Sequence, residues 1–216
     1  MLRIPVLILA LASGPVWADV VTLLDASGRG NISSPDNSVS SFIFAGFVTS
    51  PERDWFEFSI PHFSGPLVSA SLELFQPQFG HLGGSLDFSV YALDGQPTHF
   101  SDITSSILYG SVSTDSSTDG TNLLITLDAA ALTALQGSQG GSFFIGGIDT
   151  GEDGNAPTGD FAGEPGRSIL KLTTVPEPWL LSPFAMMIPA IFEIRRAIRA
   201  THGKSGTHRT TGGFRS

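Results

Sequence analysis

Residues 53–60 read Arg53-Asp54-Trp55-Phe56-Glu57-Phe58-Ser59-Ile60, and after a short turn residues 67–75 read Leu67-Val68-Ser69-Ala70-Ser71-Leu72-Glu73-Leu74-Phe75. In the first run Phe56, Phe58 and Ile60 fall on one side, and Trp55, Glu57 and Ser59 on the other. In the second, Val68, Ala70, Leu72 and Leu74 oppose Ser69, Ser71 and Glu73. Successive side chains of a strand point to opposite faces. Alternation with period two therefore places one face in a core and the other in water, as antiparallel sheets do.

The same pattern recurs along the chain. Leu86, Phe88, Val90 and Ala92 oppose Asp87, Ser89 and Tyr91, and further strand-like runs cover 20–24, 41–48, 107–112, 122–127, 142–146 and 168–172. Turn formers separate them: Ser33-Ser34-Pro35-Asp36-Asn37, Phe63-Ser64-Gly65-Pro66, Gly83-Gly84, Asp94-Gly95 and Asp119-Gly120. One segment breaks the rhythm. Asp128 is placed to cap the helix-favouring run Ala129-Ala130-Ala131-Leu132-Thr133-Ala134-Leu135, with Gly137 at its end. The fold class expected is all-β, an antiparallel two-sheet sandwich or jelly roll with one short helix at about 128–136.

Outward from this domain the chain changes character. Met1-Leu2-Arg3 forms a short positive start, Ile4 to Leu11 is apolar, and Val16-Trp17-Ala18 leads to a cleavage point after Ala18, the order of a secretory signal peptide. At the other end Val175-Pro176-Glu177-Pro178 precedes an apolar run from Trp179 to Phe192, and Arg195, Arg196 and Arg199 follow. The organisation expected is a leader over 1–18, a domain over 19–174, an apolar segment with its flanking motifs over 175–199 and a basic, glycine-containing tail over 200–216. Extended through Ile198 the apolar segment reaches the roughly 20 residues of a C-terminal membrane helix, although Pro183 and Pro189 interrupt it.

Charge follows the same division. Residues 19–174 hold 18 Asp and Glu against Arg29, Arg53, Arg167 and Lys171, whereas from Arg195 onward there are six basic residues and no acids. A cationic flank beyond an apolar segment fits the positive-inside rule, and an acidic domain argues against nucleic acid as a partner. There is no cysteine, which excludes thiol catalysis, cysteine–zinc sites and disulfides.

The ordered set of proline–glutamate–proline box, apolar run and arginine cluster resembles the PEP-CTERM sorting signal of Gram-negative bacteria. The stretches Arg53 to Ile60, Val68 to Leu72, Leu127 to Leu132 and Gly140 to Gly147 resemble β-sandwich ectodomains often found with that signal. The resemblance implies export, transient anchoring in the inner membrane and processing by an exosortase-type enzyme. Val175, Pro176, Glu177 and Pro178 would be the recognition box and Arg195, Arg196 and Arg199 the basic stop. It also implies a cell-surface or extracellular protein, with exopolysaccharide as a possible associate. Two prolines suit such a box: they lack N–H donors and hold the chain extended, so it joins neither a sheet nor a helix.

No catalytic constellation emerges. His62, His81, His99, His202 and His208 show no paired spacing, and no Gly-x-Ser-x-Gly elbow supports a triad. The carboxylate pairs Asp54 with Glu57, and Glu73 with Asp87, read as outward residues of solvated strands. No cofactor is expected apart from calcium. The acidic stretch from Asp149 to Asp160 sets Asp149, Asp153, Asn155 and Asp160 at positions 1, 5, 7 and 12 of a calcium loop, without a terminal Glu. Asp115 and Asp119 form a weaker pair. An alternative function, binding of carbohydrate, would use exposed Trp55, Tyr91 or Tyr109 to stack on sugar faces.

Overall fold

The computed structural model describes residues 19–41, 43–78, 81–150, 158–160 and 167–175. The chain divides into two units, Met1–Pro176 and Glu177–Ser216, and every described residue belongs to the first. The strands are β1 (Val20–Asp25), β2 (Gly28–Ser33), β3 (Val39–Ser40), β4 (Ala45–Phe47), β5 (Pro51–Ser59), β6 (Leu67–Phe75) and β7 (His81–Leu82), followed by β8 (Leu86–Leu93), β9 (Leu108–Thr114), β10 (Asn122–Thr126), β11 (Ser142–Asp149), β12 (Thr158–Asp160) and β13 (Ser168–Thr174). The helix α1 (Ala129–Gly137) lies between β10 and β11. The described chain is therefore all-β with one helix.

Two antiparallel sheets result. One has four strands in the order β1-β13-β6-β10; the other runs β7-β12-β4-β5-β11-β8-β9, with β2 paired to β5 and β3 to β2. A single core joins them: Ala70, Leu72, Leu74, Leu123, Ile125, Leu170 and Leu172 from the first meet Phe56, Phe58, Phe88, Val90, Phe143 and Ile145 from the second. Phe56, Phe58, Ala70, Leu72, Leu74, Phe88 and Val90 are residues that period-two alternation assigns to one face; Val68, assigned with them, is exposed.

Several expectations need correction. The run 41–48 is not one strand: only Ala45–Phe47 pair, as β4, while β3 lies before the run at Val39–Ser40 and Ile43 and Phe44 stand between the two. Within β4, Gly46 has a φ of 135°, a conformation that favours glycine, and its bare Cα lies against the β12 backbone at Thr158 and Gly159. Strand β2 was hidden by Gly28 and Gly30, where neighbours crowd the space a side chain would need: a Cβ at Gly28 would lie 2.7 Å from Glu57 Oε2 and 3.2 Å from the Trp55 ring, and one at Gly30 would lie 2.6 Å from the Ser40 carbonyl and 3.1 Å from Trp55 Nε1. Trp55 does point away from the main core, yet it does not reach water. It packs with Ile32 and Ile103 in a second cluster under the loop after β8, where Arg53 lies 4.1 Å above the Phe100 ring and donates to the Ile103 carbonyl at 2.5 Å.

Helix α1 begins as its sequence dictates. The Asp128 side chain accepts from the Ala131 N–H at 2.9 Å, and Ala131 and Leu135 enter the core. Its last residue is Gly137, and the chain reverses at Gly140, with φ 76°. Asp128→Ala should cost about 1 kcal/mol in urea unfolding, with Asp128→Ser recovering most of it, since either oxygen satisfies the free amide. Equal losses in both variants would show that the cap is not what Asp128 contributes.

No helix among the described residues is long and apolar enough to cross a membrane. The apolar segment expected to do so lies outside the described residues, as do the leader over 1–18 and the tail over 200–216.

Candidate functional site

The two ends of the domain differ. At one end α1 caps the core, with Gln136 Oε1 accepting from the Leu67 N–H at 3.3 Å. At the other end polar residues replace the apolar ones on the inward faces: Asp54 near the start of β5, Asp149 at the end of β11, Asp160 on β12, Thr114 at the end of β9 and Gln76 just past β6, all buried.

Asp160 is fully buried and accepts three hydrogen bonds, from Gln76 Nε2 at 2.8 Å, His81 Nδ1 at 2.9 Å and Thr114 Oγ1 at 2.5 Å. Its partners come from both sheets, so one carboxylate ties the layers together. Gln76 accepts in turn from Thr118 Oγ1 at 2.8 Å, and Asp119 Oδ1 accepts from the His81 backbone N–H at 2.9 Å. On its far side His81 Nε2 stands 2.6 Å from the Gly84 carbonyl. An imidazole facing acceptors at both nitrogens satisfies both only as the imidazolium. Burial pulls the His81 pKa down, but the hydrogen bonds to Asp160 and the Gly84 carbonyl, with the charges of Asp160 and Asp119, outweigh it and raise the pKa.

Asp54 presents the opposite case. It is completely buried, and neither carboxylate oxygen meets a hydrogen-bond partner of standard geometry. Burial pushes its pKa well above the ordinary carboxylate value; the Phe44 backbone N–H opposes that, and the charges of Glu52, Asp149 and Asp160 add to it. The expectation that Asp54 faces solvent is therefore wrong. It lies on the parity of Phe56 and Phe58, the core face of β5, whereas Glu57 lies on the other and is half-buried. Glu73 is half-buried on β6 and bonded by Asn122, and Asp87 is exposed and accepts from Ser113 Oγ at 2.6 Å, so this pair does not meet.

The arrangement offers charge and hydrogen bonding rather than nucleophilic chemistry. His81 and Asp160 are an acid–imidazole pair, but both ring nitrogens are committed and the His81 side chain is only 1% exposed, so it has no face from which to activate a hydroxyl. Of the expected calcium residues, Asp149 and Asp160 are buried at this same end, while Asp153 and Asn155 lie outside the described residues. Among the described residues no three His, Asp or Glu side chains are placed to hold a metal by themselves. Of the box, Val175 is described: its N–H donates to the Pro66 carbonyl at 3.2 Å, directly after β13. Pro176, Glu177 and Pro178 lie outside the described residues, as do Arg195, Arg196 and Arg199. Trp55 and Tyr109 are buried, Tyr109 stacked on Phe143 with ring centroids 5.7 Å apart, and Tyr91 is half-buried, so the three form no exposed aromatic platform.

Sequence reading missed His81, Gln76 and Thr114 as site residues. His81 and Asp160 lie 79 positions apart, and nothing local to either announces the other. No family model matches this chain, and no curated protein matches it.

Proposed function

We propose that residues 19–174 form the non-catalytic, sandwich-like ectodomain of an exported protein. In this reading the domain is held at the inner membrane through the segment over 175–199 and sorted to the cell surface or matrix by an exosortase-type enzyme. The observation that carries the reading is the pairing of β1 with β13, in which Val20 lies opposite Thr174. The chain therefore joins and leaves the domain side by side at the α1 end, beside Leu67. Sheet hydrogen bonding ends at Val175, so a processing enzyme would meet the proline box directly behind the folded domain. The committed nitrogens of His81 support a non-catalytic role, and the burial of Trp55 and Tyr109 favours it over a sugar-stacking alternative, of whose three aromatics only the half-buried Tyr91 has exposed surface to offer.

Intact mass of the protein released from its source cells tests the proposal. The expected C-terminus lies between Thr174 and Pro178; released protein that retains the tail through Ser216 would overturn it.

A further inference from the structure

The buried carboxylate of Asp54 raises a question that the fold leaves open. Isolated ionised carboxylates are costly inside proteins, and they are found paired, protonated or bound to a cation. Asp160 follows that rule through three hydrogen bonds. Asp54 has no hydrogen-bond partner of standard geometry at either oxygen, and the carboxylates acting on it, Glu52, Asp149 and Asp160, repel it.

The sheet register shows what surrounds it. Asn31 on β2 lies directly opposite Asp54, which lies opposite Gly147 on β11; Asp149 is two residues further along β11, on the same inward face. Directly opposed side chains have Cβ atoms about 5 Å apart and diagonal neighbours about 7–8 Å, so three oxygen-bearing side chains share one patch. Asn31 repeats the anomaly of Asp54. It is 2% exposed, its amide N–H bonds Glu52, and its Oδ1 is buried without a partner. Two side chains from adjacent strands thus bring acceptor oxygens that lack a hydrogen bond of standard geometry to a site where the neighbouring charges are negative and the Phe44 backbone N–H favours the ionised Asp54. Donors such as these, all oxygen, suit a hard divalent cation that completes its shell with water and main-chain carbonyls.

We propose that a calcium-type divalent cation binds on the inward face of the nine-stranded sheet, ligated by Asp54, Asp149 and Asn31 Oδ1. The site is distinct from a calcium loop of the 149–160 segment, because two of its three ligands come from β5 and β2 and it does not need Asp160. It sits at the polar end, away from the point where β1 begins and β13 stops.

The test uses the purified protein and calcium chloride alone. After stripping with EDTA and dialysis against calcium, metal analysis should find one Ca²⁺ per chain. Millimolar calcium should raise the thermal midpoint by about 5 °C. Asp54→Asn keeps the shape and removes the charge; it should lower calcium affinity at least tenfold while leaving the EDTA-treated protein as stable as the wild type or more so. Asn31→Ser, a milder change, should weaken binding severalfold and serves as the ligand variant if Asp54→Asn does not fold. Asp25→Asn, on an exposed strand end, should bind as the wild type does. Wild-type protein with no bound calcium and equal thermal midpoints in calcium and EDTA would overturn the proposal. So would folded Asp54→Asn or Asn31→Ser protein that binds calcium with wild-type affinity.

Discussion

Phe56→Ala is expected to destabilise the domain by about 3–5 kcal/mol, a large part of the roughly 5–15 kcal/mol that holds a domain of this kind folded. Phe56 has no exposed surface and stands on the inward face of β5, opposite Ile145 on β11. Strand β5 also pairs with β2 and β4, so a cavity there opens beneath the centre of the larger sheet. The four-stranded sheet faces it with Leu72 and Leu170, both completely buried in the same cluster. Truncation removes the transfer free energy of the ring and leaves a void that two sheets stiffened by their ladders fill poorly. Leu124→Ala is the matched control: Leu124 is 59% exposed on β10, and its loss should stay within about 0.5 kcal/mol. Urea midpoints of the two variants decide the matter. Similar small changes in both would mean that the inward face of β5 is not the core of this domain.

That contrast between Phe56 and Leu124 marks how far the sequence is legible. Strands β6 and β8 run over the residues that alternation assigns them, with Ala70, Leu72, Leu74, Phe88 and Val90 buried, although Val68 in the same phase of β6 is exposed and Leu67 is buried instead. Strand β2 reads as loop because Gly28 and Gly30 sit where Glu57, the Ser40 carbonyl and Trp55 leave no room for a side chain, and glycine leaves no periodicity to detect. Trp55 exposes a limit of the alternation rule itself. Period two separates the faces of a sheet, but whether the second face meets water depends on a loop whose position no local pattern fixes. Asp54 was legible in principle. It falls in step with Phe56 and Phe58, and an acid on the core parity of a strand signals burial more strongly than its charge signals exposure. His81 and Asp160 carried no such cue, since their pairing exists only once β7 and β12 are neighbours.

Asp160→Ala should be the most damaging polar substitution, costing about 3–5 kcal/mol, because it strands a buried imidazolium. It also leaves Gln76 Nε2 and Thr114 Oγ1 without the acceptor that joins the sheets, each a loss of about 1–3 kcal/mol when unrelieved, so the effects overlap rather than add. His81→Gln removes the charge and keeps a donor, and its signature is a pH dependence rather than a single value. The folded-state pKa of His81 is raised above the ordinary histidine value of about 6.5. Its stabilisation is therefore full below about pH 6.5 and declines as pH rises through the higher folded-state value. Asp160 and Asp119 are acids whose charges raise the His81 pKa, and Asp115, itself held below the ordinary carboxylate value by its hydrogen bonds with Ser117, also faces the imidazolium. Asp54 titrates in the same direction, since a raised carboxyl pKa also favours the protonated, low-pH form, so the wild-type slope alone does not isolate histidine. The difference between wild type and His81→Gln does. Unfolding free energies measured from pH 5.5 to pH 9 should show the wild type's advantage largest at the acid end and shrinking toward the alkaline end. A difference that stays constant, or grows with pH, would mean that His81 is neutral in the folded protein and that its hydrogen bond to Asp160 runs from an uncharged ring.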